Sequence, residues 1–321
     1  MTTSTPTGRT EPLGVRPFGF ADVVDYIERI TYDIWNGAER DPGLCHRYYG
    51  PDTPIFMDGG DLVGAARVIA NTEARLVAFP DFLGVIDDTV WTGDEATGYR
   101  TSMRWTWSGT NSGPSIFGPA TGRPVRFAAI ANCVVRGQVI VEEWLGVNPL
   151  SLARQLGVDP VTALERWTAV NPVPGADAPP RLPAVPSGPD ADGAIAAVVS
   201  LLDAVVTSRD LDAVARAYSP EARLLHGIDR PHDGVDSVRG FYAGLLDLLP
   251  DAAWRLDDAY ALPADDLPAR AAVQWTLSGT ADGSPVRLSV FSHSHVVDGR
   301  IVAEWIEYDQ LALLRQCGRL V

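Results

Sequence analysis

The sequence predicts two α+β domains in tandem, from three observations. These are an internal repeat at a spacing of about 161 to 170 residues, a proline-rich segment between the repeats, and helical periodicity followed by long strand-like runs inside each repeat. Tyr49-Gly-Pro-Asp matches Tyr218-Ser-Pro-Glu, and Phe79-Pro80-Asp81 matches Leu249-Pro250-Asp251. RWTWSGTNSG from Arg104 matches QWTLSGTADG from Gln274, VVRGQVIVEEWLGVN ending at Asn148 matches VVDGRIVAEWIEYD ending at Asp309, and RQLG matches RQCG. The segment from Asn171 to Asp192 has seven prolines and almost no bulky apolar side chains. It cannot build a core and reads as an extended spacer. The boundaries that follow are a disordered tail over 1–17, a first domain over 18–170, a linker over 171–192 and a second domain over 193–321.

Within each copy the elements come in the same order. Phe20, Val23, Val24, Ile27, Ile30, Ile34 and Trp35 recur at three- and four-residue steps, as do Ile195, Val198, Val199, Leu202 and Val206. Each copy therefore opens with an amphipathic helix. A second short helix leads to Tyr49 or Tyr218, an apolar strand follows (PIFM or RLLH), and a third helix runs to the Pro-Asp turn. Four long segments rich in Val, Ile, Thr and Trp, broken at glycine-containing turns, complete each copy as an antiparallel meander.

Composition narrows the chemistry. All 26 basic residues are arginine. Without a lysine amine, Schiff-base aldol chemistry, pyridoxal phosphate attachment and a Walker-type phosphate loop are excluded. A net charge of −15 disfavours nucleic acid and anionic membranes as partners. No apolar run approaches the ~20 residues of a spanning helix, and the N-terminus lacks the apolar core of a signal peptide. Cys45, Cys133 and Cys317 form no CxxC pair and fit reduced thiols. The expectation is a cytoplasmic protein.

FPDF, SGTNSGPSIFGPATGRPVRF, EEWLGVN and ARQLG in the first copy, with VVDGRIVAEW and Asp309 in the second, resemble the SnoaL-like polyketide cyclases of the nuclear transport factor 2-like superfamily. The resemblance covers about 18–168 and 193–321. It implies tandem cone-shaped α+β barrels, each with three N-terminal helices packed on a curved antiparallel sheet around an apolar cavity. It also implies cofactor-independent acid/base chemistry, as in cyclases, isomerases and dehydratases, although the superfamily includes subunits that only bind. By the same resemblance Asp309, four residues after Trp305, and His295, fourteen residues before Asp309, are the catalytic pair. The first copy carries Asn148 at the aspartate's place, Cys133 or Val134 at the histidine's, and Asn111 where many relatives have histidine. The active site is therefore expected in the second copy.

Whether His295 can meet Asp309 depends on the turn between their strands. A two-residue loop at Asp298-Gly299 pairs Val297 with Arg300 and turns both His293 and His295 away from Asp309. A three-residue loop with a glycine bulge pairs Val296 with Arg300 and puts the histidines, Trp305 and Asp309 on one wall, as the family arrangement requires. Trp144 follows Gly137 by seven residues whereas Trp305 follows Gly299 by six, which predicts a bulge near Val141 to Glu143.

Candidate substrate-binding residues are His293, Trp305, Trp275, His226, Glu307, Trp105, Trp144, Asn148 and Asn111. The tryptophans suit an aromatic-lined cavity and equally suit plain core packing. Asp309 is equally suited to cap the helix that starts at Gln310, and His295 to donate one buried hydrogen bond. His293 and His295 form an HxH pair that His226 could complete as a metal site, but no supporting ligand stands at the right spacing, so no metal and no cofactor are expected. Asp81 and Asp251 read as turn caps. The preferred function is a cyclase, isomerase or dehydratase acting on a hydrophobic carbonyl or polyketide-like small molecule. The alternatives are a non-catalytic binding or assembly protein whose copies form an internal pseudo-dimer, or pair with a second chain as a homodimer, and an epoxide or lactone hydrolase.

Overall fold

A computed structural model describes residues 13–171 and 190–318. In the first copy the elements are α1 (Val23–Trp35), α2 (Cys45–Tyr48), β1 (Pro54–Phe56), β2 (Leu62–Val63), α3 (Ala65–Ala78), β3 (Leu83–Asp94), β4 (Gly98–Thr110), β5 (Pro124–Arg136), β6 (Val139–Val147), α4 (Pro149–Gln155) and α5 (Pro160–Val170). The second copy has α6 (Ala194–Leu202), extended by a π turn over Asp203–Thr207, then α7 (Ala213–Ala217), β7 (Tyr218–His226), β8 (His232–Asp233) and α8 (Val235–Leu248). It ends with β9 (Ala253–Leu262), β10 (Ala269–Ala281), β11 (Ser284–Val297), β12 (Arg300–Glu307) and α9 (Gln310–Cys317).

Local chemistry explains the repeated boundaries. Asp22 caps α1, its carboxylate accepting from Asp25 N at 2.8 Å. Gly64 and Gly234 precede α3 and α8 at φ 76° and 77°, and a Cβ on Gly64 would lie 2.0 Å from the Pro51 carbonyl. Asp81 and Asp251 accept from Thr110 N and Thr280 N at 2.7 and 2.6 Å, pinning each Pro-Asp turn to the strand beside it.

Each copy forms a six-stranded sheet, ordered β2-β1-β6-β5-β4-β3 and β8-β7-β12-β11-β10-β9. The meanders are antiparallel as expected, but β1 lies parallel to β6 and β7 parallel to β12, so the sheets are mixed. They are also open, with β2 and β3, or β8 and β9, at the edges rather than closed into barrels.

Two boundaries move. Val15 is fully buried and Gly137 N donates to Leu13 O at 2.7 Å, so part of the expected tail belongs to the first domain; residues 1–12 lie outside the described residues. Asp190 accepts from Ile195 N and Ala196 N at 2.8 and 3.1 Å, starting the second domain two residues before Asp192. The remainder of the expected linker, 172–189, lies outside the described residues.

The β5–β6 and β11–β12 turns resolve the question of faces. Val297 pairs with Arg300, as in the two-residue loop, and Asp298 and Gly299 have φ of 49° and 73°. A register shift then leaves Val302 bulged, so that His295 faces Ala303 and His293 faces Trp305. In the first copy Arg136 pairs with Val139, and a bulge at Val141 falls where the spacing predicted one. Counted from the bulges, Glu143-Trp144 and Glu304-Trp305 are equivalent. The apparent slip comes only from which of the two turn residues is glycine, Gly137 in one copy and Gly299 in the other.

The sheet faces turned away from each copy's own helices meet one another. Arg270 pairs with Asp88 at 3.2 Å, and Arg100 pairs with Asp258. Arg100 and Arg270, like Asp88 and Asp258, occupy equivalent positions in the two copies.

Candidate active site

The first copy encloses a cavity of about 80 Å³. Alternation along β4, β5 and β6 points Met103, Trp105 and Trp107, then Phe127, Ala129, Ala131 and Cys133, then Glu143, Leu145 and Val147 into it. Ile27, Ile30, Thr31 and Trp35 of α1 and Val68, Asn71, Thr72 and Arg75 of α3 close it, with Tyr49, Ile55, Met57, Leu62 and Ile140. The bulge at Val141 decides which carboxylate enters. Without it Glu142 would face the cavity; with it Glu143 does. Glu142 instead accepts from Trp144 Nε1 at 2.7 Å.

Glu143 is the chemically distinctive group of this wall. Its Oε2 accepts from the Tyr49 hydroxyl at 2.8 Å. Burial pushes its pKa up to about 7, against the opposing effects of the Tyr49 hydrogen bond and the Arg75 charge. A carboxyl poised there can both take and give a proton near neutral pH. The Cys133 thiol, also on the wall, is pushed well above its usual range by burial and is no nucleophile.

The second copy has the same glutamate but no open space beside it; its pocket, about 330 Å³ lined by His226, Phe241, Leu245 and Tyr308 among others, lies at the mouth and does not reach Glu304. At the α8 positions equivalent to Asn71, Thr72 and Arg75 stand Phe241, Tyr242 and Leu245. Only about 10 Å³ is left among Tyr242, Trp275, Ile306 and their neighbours. Glu304 accepts from the Tyr218 hydroxyl and from Ser294 Oγ at 3.3 Å, and the Tyr242 hydroxyl lies 3.3 Å from that of Tyr218. Burial raises the Glu304 pKa to about 7 as well, but nothing can reach it.

The residues singled out in the sequence scatter. His293, His295 and Trp305 do share one wall, with the His295 and Trp305 rings 4.9 Å apart, but that wall faces the first copy. His295 Nε2 lies 3.3 Å from Asp88 Oδ2, while Arg104 sits 3.9 Å over the Trp305 ring. Asp309 caps α9, its Oδ1 accepting from Leu311 N and Ala312 N at 2.8 and 3.0 Å. His295 and Asp309 are thus not brought together: strand alternation keeps both out of the cone, each with structural partners of its own. His226 stacks on Tyr308 at 4.0 Å and lines the second copy's pocket on the sheet face opposite His293 and His295, so it does not join the HxH pair; burial lowers its pKa to about 4. Asn148 Nδ2 lies 3.4 Å from His226 Nε2 and donates to Gln310 Oε1 at 3.2 Å. Trp144 stacks on Phe56 at 4.1 Å on the outer face, and Glu307 is buried on that face of the second copy. Trp275 packs in the filled cone of the second copy. Asn111 ties the loop after β4, accepting from Thr121 N at 2.9 Å and donating to Gly113 O at 2.9 Å. Of these residues, Trp105 lines the cavity. Glu143 was missed, although VEEW and VAEW place a glutamate before the tryptophan in both copies.

Ser102, His293 and Asp88 follow one another in the order of an acyl-transfer triad but without its geometry: Ser102 Oγ lies 2.7 Å from His293 Nε2, whereas His293 Nδ1 lies 3.8 Å from Asp88 Oδ2, beyond hydrogen-bonding distance. Ser102 donates to Asn132 Oδ1 at 2.5 Å, and Ser102 and His293 are buried between the copies. Together they join the two domains and offer no nucleophile to a substrate.

Three of the raised carboxyls, those near 7, also set a pH dependence. Burial pushes Asp309 to about 7, outweighing its hydrogen bond from the Ala312 amide, and Glu143 and Glu304 reach about the same value. Because their folded pKa values exceed the unfolded ones, the stability they contribute is complete near pH 4 and lost as pH rises through 7. His226, lowered to about 4 by burial, works in the opposite direction, so the measurement is the variant minus the parent. Glu143→Gln, Glu304→Gln or Asp309→Asn is expected to gain up to about 3 kcal/mol at pH 8 relative to pH 4. Urea unfolding at both pH values checks this; equal differences at the two pH values would refute it.

Comparison with known proteins places the fold. A sequence profile for SnoaL-like polyketide cyclases matches residues 26–156, and one for the SnoaL-like domain matches residues 198–304. The chain belongs to the SnoaL-like family as a tandem of two such domains. TsrD from Streptomyces laurentii is 24% identical, covering 43% of this chain and 96% of its own, with a TM-score of 0.37. A protein classed as a SnoaL-like polyketide cyclase from Jannaschia sp. CCS1 is 17% identical, covering 43% of this chain and 100% of its own, with a TM-score of 0.36. An NTF2-like protein of unknown function from Burkholderia pseudomallei K96243 is 19% identical, covering 40% of this chain and 99% of its own, at a TM-score of 0.35. These likenesses concern the fold alone. No curated protein matches the chain in sequence. Among the described residues, no helix is long and apolar enough to cross a membrane.

Proposed function

We propose that the first copy is a cofactor-independent acid/base catalyst acting on a hydrophobic carbonyl compound, and that the second copy is its fused structural partner in a pseudo-dimer. The observation that supports this most is Glu143, an apolar-cavity carboxyl with a pKa of about 7 beside an open space. About 80 Å³ gives room for several waters or one ring-sized fragment. In the reaction, ionised Glu143 takes a proton from the carbon next to the carbonyl. The electron pair left on that carbon delocalises as an enolate; it either passes through a conjugated double bond to a further carbon, which takes the proton back from Glu143 in isomerisation, or forms a carbon–carbon bond to a second carbonyl, whose oxygen then collects the proton from Glu143. Both cycles close without an external oxidant or reductant. Tyr49 positions the carboxyl through its hydrogen bond. The closed surroundings of Glu304 and the reciprocal Arg–Asp pairs favour a scaffold role for the second copy.

The test is deuterium uptake from heavy water at the α-carbon of small aryl ketones, followed by mass spectrometry. The parent chain is expected to catalyse uptake, and Glu143→Gln to reduce it at least a hundredfold with an unchanged far-UV circular dichroism spectrum. Undiminished exchange in Glu143→Gln would remove Glu143 from the chemistry.

A further inference from the structure

Among the described residues, Arg75 is the only cation on the wall of the first cavity. Its hydrogen bond among the described residues goes to Asn71 Oδ1 at 3.2 Å, one helical turn away, and no described carboxylate lies within 4.0 Å of it. Glu143 shares the cavity with Arg75 without forming an ion pair with it. A guanidinium beside apolar surface is poorly solvated and favours a bound counter-charge, and its planar fork suits a carboxylate better than any other singly charged group. The equivalent residue in the second copy is Leu245, so a charge at this helix position is not needed for the fold and is particular to the first cavity.

Position along the cavity adds direction. Arg75 is half-buried and Asn71 exposed, which sets them at the mouth, whereas Glu143 is buried within. A molecule entering with its carbonyl towards Glu143 leaves its other end against Arg75 and Asn71. We infer that the first cavity takes a keto acid: an apolar carbonyl compound whose carboxylate is held at the mouth by Arg75 and Asn71 while its ketone reaches Glu143. This deepens the acid/base reading above and rests on it for the role of the inner end alone. The predicted selectivity concerns charge at the outer end. A dianion such as phosphate would need more donors than one guanidinium and one carboxamide provide.

The probes are 4-oxo-4-phenylbutanoate and its methyl ester, which differ in the charge and one methyl group. Titrated into the full chain at pH 8 and low salt, with tryptophan fluorescence as the readout, the acid is expected to bind at least tenfold more tightly than the ester. Arg75→Leu should abolish the preference, Arg75→Gln should do the same with a milder change to the helix, and Arg75→Lys should keep part of it. Equal binding of acid and ester, a preference that survives in both Arg75→Leu and Arg75→Gln, or binding of neither probe up to millimolar concentration would each overturn the inference. Deuterium exchange separates the two claims. Glu143-dependent exchange without a charge preference leaves the acid/base reading standing and removes the keto acid, whereas an Arg75-dependent preference without exchange does the reverse.

Discussion

Replacing Tyr242 by threonine, the residue at the equivalent position of the first copy, is expected to cost the second domain about 3 to 4 kcal/mol, through lost transfer energy and the cavity left behind. For a domain of this size the melting temperature should fall by about 10 to 15 °C. Tyr242 is 1% exposed and its hydroxyl lies 3.3 Å from that of Tyr218, so the substitution removes both a large buried ring and a member of the hydroxyl cluster around Glu304. The emptied cone should also gain affinity for indole, which titration calorimetry can detect. A loss below about 1 kcal/mol would mean that the second cone is not held together by this ring.

The second large effect concerns the seam between the copies. Burial pushes the Asp88 carboxyl upward, but His293, His295 and the Arg270 charge overcome this and hold it far below the usual carboxylate range. Asp88→Ala leaves the two histidines without their anion and Arg270 with only the exposed Asp265, for an expected loss of about 3 to 5 kcal/mol at pH 7 in urea unfolding. Changing Asp88 to leucine and Arg270 to methionine together should recover most of it, because the pair and its desolvation disappear as a unit. Since the folded pKa of Asp88 is depressed, its stabilisation is present above about pH 4 and lost as the carboxyl protonates below that. A single-variant loss under about 1 kcal/mol would show the pair to be solvated and weak.

How much of this was written in the sequence can be judged residue by residue. The two α+β copies were legible because helical and strand periods alternate twice in the same order, and the bulge at Val141 was legible from a count of residues between Gly137 and Trp144. The destination of each strand face was not. In this chain both faces of β5, β6, β11 and β12 are largely buried, one in a cone and the other between the copies, so hydrophobic alternation carries no label saying which is which. His293, His295, Trp305 and Asp309 were grouped by a family pattern on the face that turns out to meet the other domain. The better signal lay in α3 and α8. Thr72 against Tyr242 distinguishes a helix that leaves space beside the buried glutamate from one whose ring fills it, and Asn71 and Arg75 against Phe241 and Leu245 distinguish a polar mouth from an apolar one.

The seam between the copies has a last consequence. In a homodimer of identical chains every contact occurs twice, so a residue close to the two-fold axis must suit itself or its own mirror position. Here the equivalent positions hold Asn132 and His293, and both bond to Ser102, whose counterpart is Ala272. Such a trio could not exist once per molecule in a true dimer. Covalent fusion releases each position from that demand, so one half can specialise in rigidity while the other keeps an opening, and no single substitution has to be tolerated in both places at once.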